Sequence, residues 1–364
     1  MGAGKNATHD FQAHPTRKDV AMSLSTQLAE SGFVPGAALT QGMRITERKR
    51  LTHEARGDVH SLQRNKMSLI RAMDRSPIVM PLPKGNGHPF QVPIDFYQKV
   101  LGSSMLFSCC HFSDEANSLD AAERSMIELI TKRADIQNGQ RILDLGCGWG
   151  GLSLWIARMY PECDIIAVTT SCPQKEYIKA RAQALKLTNL HPVTVDMQNF
   201  APRGTFDRII SVELFNHLRN WRAMLSRISQ WLGPDGRLFL QMFCHRNYAY
   251  AFESPGPKNW IARHFFQRSI MPSDDLLLYF QDDLVLNEHW TLSGRHYQKT
   301  AQAWGANMRA KKSEIMGIMD NVYGKDRGKL WHQRWRNFFV ACESLWGYGQ
   351  GKEYMVAQYR LQRR

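Results

Sequence analysis

"RILDLGCGWGGLSLWIARMY", residues 141–160, decides the fold. An apolar run carrying a single acid, Asp144, enters three glycines spaced two apart: Gly146, Gly148 and Gly150. It leaves as a helix-period pattern. A strand that turns through glycine into a helix N-terminus lets a ligand approach the backbone closely. The spacing is G-x-G-x-G, not the G-x-G-x-x-G of a dinucleotide site, and no Lys-Ser/Thr follows as in a phosphate loop. An acid directly before the turn suits a ligand that carries positive charge.

Outward from this turn, strand and helix patterns alternate. Ser118 is the expected N-cap of "LDAAERSMIELITKRA". "DIIAVTT", "LHPVTVD", "FDRIISV" and "GRLFLQMF" read as strands, the last after a "GPDG" turn; "CPQKEYIKARAQALKL" and "RNWRAMLSRISQWL" read as helices. Apolar β-branched runs between amphipathic helices predict an α/β fold with a parallel sheet covered on both faces. "KEYMVAQYRLQ" is expected as a last, antiparallel strand. Residues 1–36 read as a loose or partly helical tail, and 40–76 allow one or two amphipathic helices. "SPIVMPLPKGNGHPF" (76–90) cannot continue a helix and reads as a linker. The expected division is therefore 1–93, tail, helical arm and linker, and 94–364, the main domain. Segments 245–290 and 297–350 are expected to roof the substrate side.

Composition narrows the partners. The 364 residues are 43% hydrophobic and 22% charged, ordinary for a globular protein. No run approaches a membrane span, and the N-terminus lacks the apolar core of a signal peptide. Seven cysteines without paired spacing predict reduced thiols, a cytoplasmic location and no metal site. The formal charge is +14, densest in "RITERKRLTHEAR" (44–56). That cluster lacks the aromatic interleaving of a single-strand binder, so nucleic acid is not expected. A solvated helix face and peripheral contact with an anionic membrane stay open.

"DLGCGWG" resembles the cofactor motif of class I methyltransferases. The resemblance implies a Rossmann-like, doubly wound seven-stranded sheet and S-adenosyl-L-methionine as cofactor. It places Asp144 and the three glycines beside the methionine part of that cofactor, with Ser108 near its carboxylate. Many relatives carry an acid at the ribose; here "AVTTSCPQ" offers Thr169, Thr170 and Gln174. Asp196 would read the adenine amino group, with Met197 against the ring. The missing ribose acid is similar to cyclopropane fatty-acid synthases and coclaurine-type alkaloid N-methyltransferases. "FSCCHF" (107–112), "YFQDD" (279–283), "HWTLSGRHYQKT" (289–300), "WRNFF" (335–339) and "WGYGQGKEYMVAQYRLQ" (346–362) look like landmarks of that family.

Chemistry is expected in "SVELFNHLRNW" (211–221). An amine acceptor near neutral pH must lose a proton, and His217 can take it. Glu213 can orient His217, since positions i and i+4 share a face if the segment is helical. The matching stretch of the plant enzymes reads E-L-F-E-H, so Asn216 replaces an acid here, and Gln241 stands where those relatives tend to carry Glu. The resemblance also implies a pocket wall at Cys109 and substrate contacts at Asn216, Gln241, Trp335, Arg336 and Phe338. Asp282 and Asp283 are further candidates for holding an ammonium. The expected activity is N-methylation of a small, aromatic or alkaloid-like amine. The alternative is a cyclopropane synthase-like enzyme acting on unsaturated fatty-acyl phospholipids, disfavoured because its bicarbonate-holding set reads as incomplete. The relatives' N-terminal helices suggest a homodimer.

Overall fold

The structure, a computed structural model, describes residues 24–81, 90, 92–252 and 260–364. An N-terminal arm of α1 (Leu24–Ser31), α2 (Gly36–Glu54) and α3 (Val59–Asp74) leads to α4 (Ile94–Val100) and α5 (Leu119–Arg133). The alternating core follows: β1 (Arg141–Leu145), α6 (Gly151–Met159), β2 (Asp164–Thr169), α7 (Cys172–Ala184), β3 (Leu190–Thr194), β4 (Phe206–Val212), α8 (Trp221–Trp231) and β5 (Leu232–His245). A small ribbon of β6 (Tyr250–Ala251) and β7 (Ile270–Met271) brackets α9 (Trp260–His264). The chain closes with β8 (Leu284–Ser293), α10 (Gly294–Ala310), α11 (Lys312–Tyr323), α12 (Lys325–Trp346) and β9 (Tyr354–Arg363).

The seven-stranded sheet runs β3-β2-β1-β4-β5-β9-β8. Strands β1 to β5 are parallel, and β9 lies antiparallel between β5 and β8. Alternate side chains of β1 enter different cores. Leu143 and Leu145 pack with Met224 and Ile228 of α8, whereas Ile142 packs with Ile130 of α5 and Ile156 of α6. Burial on both faces explains why these strands are nearly continuous apolar runs.

Local chemistry sets the helix starts. Ser118, Ser171 and Asn220 cap α5, α7 and α8, accepting from Ala121 N, Gln174 N and Ala223 N respectively. Two sequence expectations change. The "GPDG" turn is not a separate turn before the strand but a bulge inside β5, whose pairing passes from Leu232↔Phe206 to Arg237↔Arg208. Residues 284–290, assigned to the roof, belong to the sheet edge as β8; half of that strand is exposed, so no continuous apolar signal marks it. The tail, expected to be loose or partly helical through residue 36, is helical over 24–31 and again from 36; its first 23 residues lie outside the described ones, as does most of the 76–90 linker.

Candidate active site

In the parallel half of the sheet the strands end together on one edge: Leu145 pairs with Val168, and Thr169 with Thr194. Ligands of open α/β sheets bind outside such carboxyl ends. The glycine turn sits there, with Gly146, Gly148 and Gly150 all at positive φ (89°, 55° and 76°). Their reasons differ. A Cβ on Gly150 would fall 2.5 Å from Ile178 Cγ1, and one on Gly146 would fall 3.1 Å from Leu214 Cβ. Only Gly148 faces open space, with nothing within 4 Å of its Cβ position. So two of the three glycines answer to protein packing, and one leaves room for a ligand.

Asp144 is buried, and its Oδ2 accepts a hydrogen bond from Ser153 Oγ of α6. Burial raises its carboxyl to about 6, and the Ser153 bond opposes that shift. At the end of β2, Thr169 Oγ1 bonds Gln174 Oε1 at 2.5 Å and accepts from Ser171 N at 3.1 Å, while Thr170 is exposed. Past β3, Asp196 is exposed and caps its own turn through Gln198 N at 2.9 Å; Met197 is buried in the core. Thr194 Oγ1, on the same edge, is buried with no hydrogen-bond partner.

Strand β4 runs out at Val212, and Glu213 adopts φ 59° as its amide bonds Gln241 O at 2.8 Å. Only Phe215–His217 is helical, as one 3-10 turn, so Glu213 and His217 share no helix face. Glu213 Oε1 accepts from Ser108 Oγ at 3.0 Å, and Oε2 is buried without a well-formed hydrogen bond. Burial pushes this carboxyl up to about 7, against the Ser108 hydroxyl, the Phe243 amide and the Gln241 side chain, which favour its charge. His217 Nδ1 lies 2.8 Å from Ser269 Oγ, and its ring stacks on Phe266. The linker pins the turn beside it: Arg219 N donates to Ile78 O, and Val79 bridges Leu218.

The other expected residues separate into two groups. Ser108 and Gln241 join Glu213, with Gln241 Nε2 donating to Ser108 Oγ at 3.0 Å. Asn216 lies at the same turn but donates through Nδ2 to Phe243 O, fixing the loop to β5. Phe338 stacks on Phe265 at 4.2 Å and lies 5.9 Å from Phe266, the ring beside His217. Trp335 stands in the same aromatic cluster, 4.6 Å from Phe96 and 5.2 Å from Phe265. Arg336 does not join them. Its guanidinium reaches Val34 O in the N-terminal arm, because it lies on the other side of α12. Cys109 is buried in the core with Met126 and Ile127, its thiol pushed well up by burial. Asp282 pairs with Arg222 of α8.

Sequence reasoning missed several supports. Glu123 of α5 accepts from the amides of Gly102, Ser104 and Leu106, and so holds the loop that carries Ser108. Ser269 belongs to a segment with no periodic signal. Gln358 and Arg133 extend the polar set behind Gln241. One hint was available: two glutamines on apolar strands need partners.

The edge fits a cofactor of S-adenosylmethionine type. It offers open space over Gly148, an orphaned hydroxyl at Thr194 and an orphaned carboxylate oxygen at Glu213. The profile of the family described as mycolic acid cyclopropane synthetase matches residues 86–352. (S)-Coclaurine N-methyltransferase of Thalictrum flavum subsp. glaucum is 32% identical over 94% of this chain and 95% of its own. Cyclopropane-fatty-acyl-phospholipid synthase of Escherichia coli (strain K12) is 27% identical over 61% of this chain and 55% of its own. A crystal structure of coclaurine N-methyltransferase bound to N-methylheliamine and S-adenosylhomocysteine superposes with a TM-score of 0.86 at 32% identity, covering 92% of this chain and 97% of that one. The chain belongs to the S-adenosylmethionine-dependent methyltransferase family that unites the mycolic acid cyclopropane synthetases and the coclaurine-type N-methyltransferases.

Proposed function

We propose that this enzyme methylates the nitrogen of a small aromatic amine, with His217 as the base and Glu213 as the carboxylate facing the cationic acceptor. One observation carries the reading. A buried, unmatched carboxylate oxygen on Glu213 and the His217 ring stand at one turn, beside aromatic rings that suit a flat cation. S-Adenosylmethionine, when bound, supplies an electrophilic methyl on a sulfonium, whose displacement leaves a neutral thioether. The residues must then present a free nitrogen lone pair in line and remove the ammonium proton. Ser269 Oγ bonds the imidazole at Nδ1 and fixes its orientation, and the ring takes the ammonium proton. Phe266 and Phe338 position the acceptor ring, and Glu213 compensates positive charge during transfer. Thr169, Thr170, Gln174, Asp196 and Met197 are proposed to line the adenosine side, and Asp144 to support the turn from within.

Among the described residues, Glu213 is the one carboxylate of this pocket's polar set. Asn216 and Gln241 are neutral and already spent on Phe243 O, Ser108 and Gln358. That favours an acceptor of single positive charge. The test supplies methyl-labelled cofactor with two acceptors, the tetrahydroisoquinoline heliamine and vesicles of unsaturated phospholipid. Label in the soluble amine is the expected result; label confined to extracted lipid would overturn it.

A further inference from the structure

Four hydrogen bonds join Glu213 to the far side of the sheet. Arg133 Nη1 on α5 donates to Gln358 Oε1 on β9 at 2.5 Å. Gln358 Nε2 donates to Gln241 Oε1 on β5 at 2.5 Å, the two residues standing opposite each other in register. Gln241 Nε2 donates to Ser108 Oγ at 3.0 Å, and Ser108 donates to Glu213 Oε1 at 3.0 Å. Ser108, Gln241 and Gln358 are all buried.

The direction of this chain is fixed at one end. Arg133 can only donate, so Gln358 must turn its carbonyl oxygen toward it and its amide toward Gln241. The same constraint passes to Gln241 and then to Ser108, whose proton is left for Glu213. Every dipole therefore points its positive end at the carboxylate, and each bond polarises the next. Arg133 itself is half-exposed and held over the Trp290 ring, so its own charge is partly solvated.

We propose that Arg133 and Gln358 are positioning residues for Glu213, acting through Gln241 and Ser108 to keep its carboxylate charged where it faces the acceptor. The inference rests on the role proposed for Glu213, but its test does not need turnover. The Glu213 titration is read by infrared spectroscopy of the carboxyl stretch in the full-length protein, with Glu213→Gln as the blank. Arg133→Gln and Gln358→Met should each raise the midpoint by about one pH unit, a tenfold change in protonation constant. Arg133→Lys, which keeps a charged donor, should restore most of the shift. The acidic limb of kcat/KM with heliamine should move by the same amount in each variant.

A shift in Arg133→Gln without one in a folded Gln358→Met would mean through-space charge alone, and would overturn the chain. Midpoints unchanged in both would overturn it as well. Should Gln358→Met not fold, Gln358→Asn, whose amide is too short to span Arg133 and Gln241, takes its place with the same two readings. Absence of methyl transfer alongside the expected shifts would count against the activity and leave the chain standing.

Discussion

The two halves of the site are held in different ways. The half proposed for the cofactor is local: Asp144, Gly146, Gly148 and Gly150 lie within seven residues, and the amides of Gly146 and Cys147 both bond Val168 O of the neighbouring strand. The half proposed for the acceptor is assembled from distant segments. Glu213 depends on Ser108, more than a hundred residues away, and His217 depends on Ser269 and Phe266. A half built from backbone geometry tolerates little at its glycines, two of which pack on Ile178 and Leu214. A half built from side chains can change its acceptor while the cofactor edge stays the same.

Substitutions can break that contrast. The largest effect is expected at Trp335, fully buried and ringed by Phe96, Phe265 and Phe339. Trp335→Ala should cost about 3–5 kcal/mol in denaturant unfolding, as large aromatic truncations do. Next come the glycines. Gly150→Ala must push Ile178 aside at positive φ and should lower stability by about 2 kcal/mol or more. Gly148→Ala should cost roughly 1 kcal/mol, since only φ is penalised, yet weaken S-adenosylhomocysteine binding more than tenfold in calorimetry. The reverse ranking would mean that the open space over Gly148 is not the ligand's.

Glu213 sharpens the comparison through pH. Its carboxyl is raised from 4.5 to about 7, so the folded state binds the proton more tightly than the unfolded one. Stability should fall as pH rises from about 4.5 to about 7 and then level off. Glu213→Gln removes that titration. The variant should match the wild type at pH 4.5 and exceed it at pH 8 by up to roughly 3 kcal/mol in urea melts. The smallest effect belongs to Arg336→Ala, which loses one long bond to Val34 O. We expect less than about 1 kcal/mol and no change in KM for the amine.

These contrasts explain what was legible in the residues. Strand β1, the turn and the caps at Ser118 and Ser171 are written in neighbouring positions, where period and capping chemistry act. The i, i+4 pairing of Glu213 and His217 failed because β4 continues to Val212 and Glu213 takes a left-handed backbone instead of entering a helix. Arg336 directly follows Trp335 on α12, yet helix rotation turns it toward the N-terminal arm. Nothing local marks Gln358 as the partner of Gln241; only the antiparallel insertion of β9 brings them opposite. Strand β8 was hidden by its half-exposed edge position.

The measurement that tests the account most directly pairs binding with turnover in one variant, His217→Ala. S-Adenosylhomocysteine affinity is read by calorimetry and methyl transfer to heliamine by label, on the same preparation. We predict unchanged affinity and a loss of transfer of about 10²–10⁴-fold, the range of a missing general base. Full transfer by the variant would contradict the role of His217, and loss of affinity together with transfer would contradict the separation of the two halves.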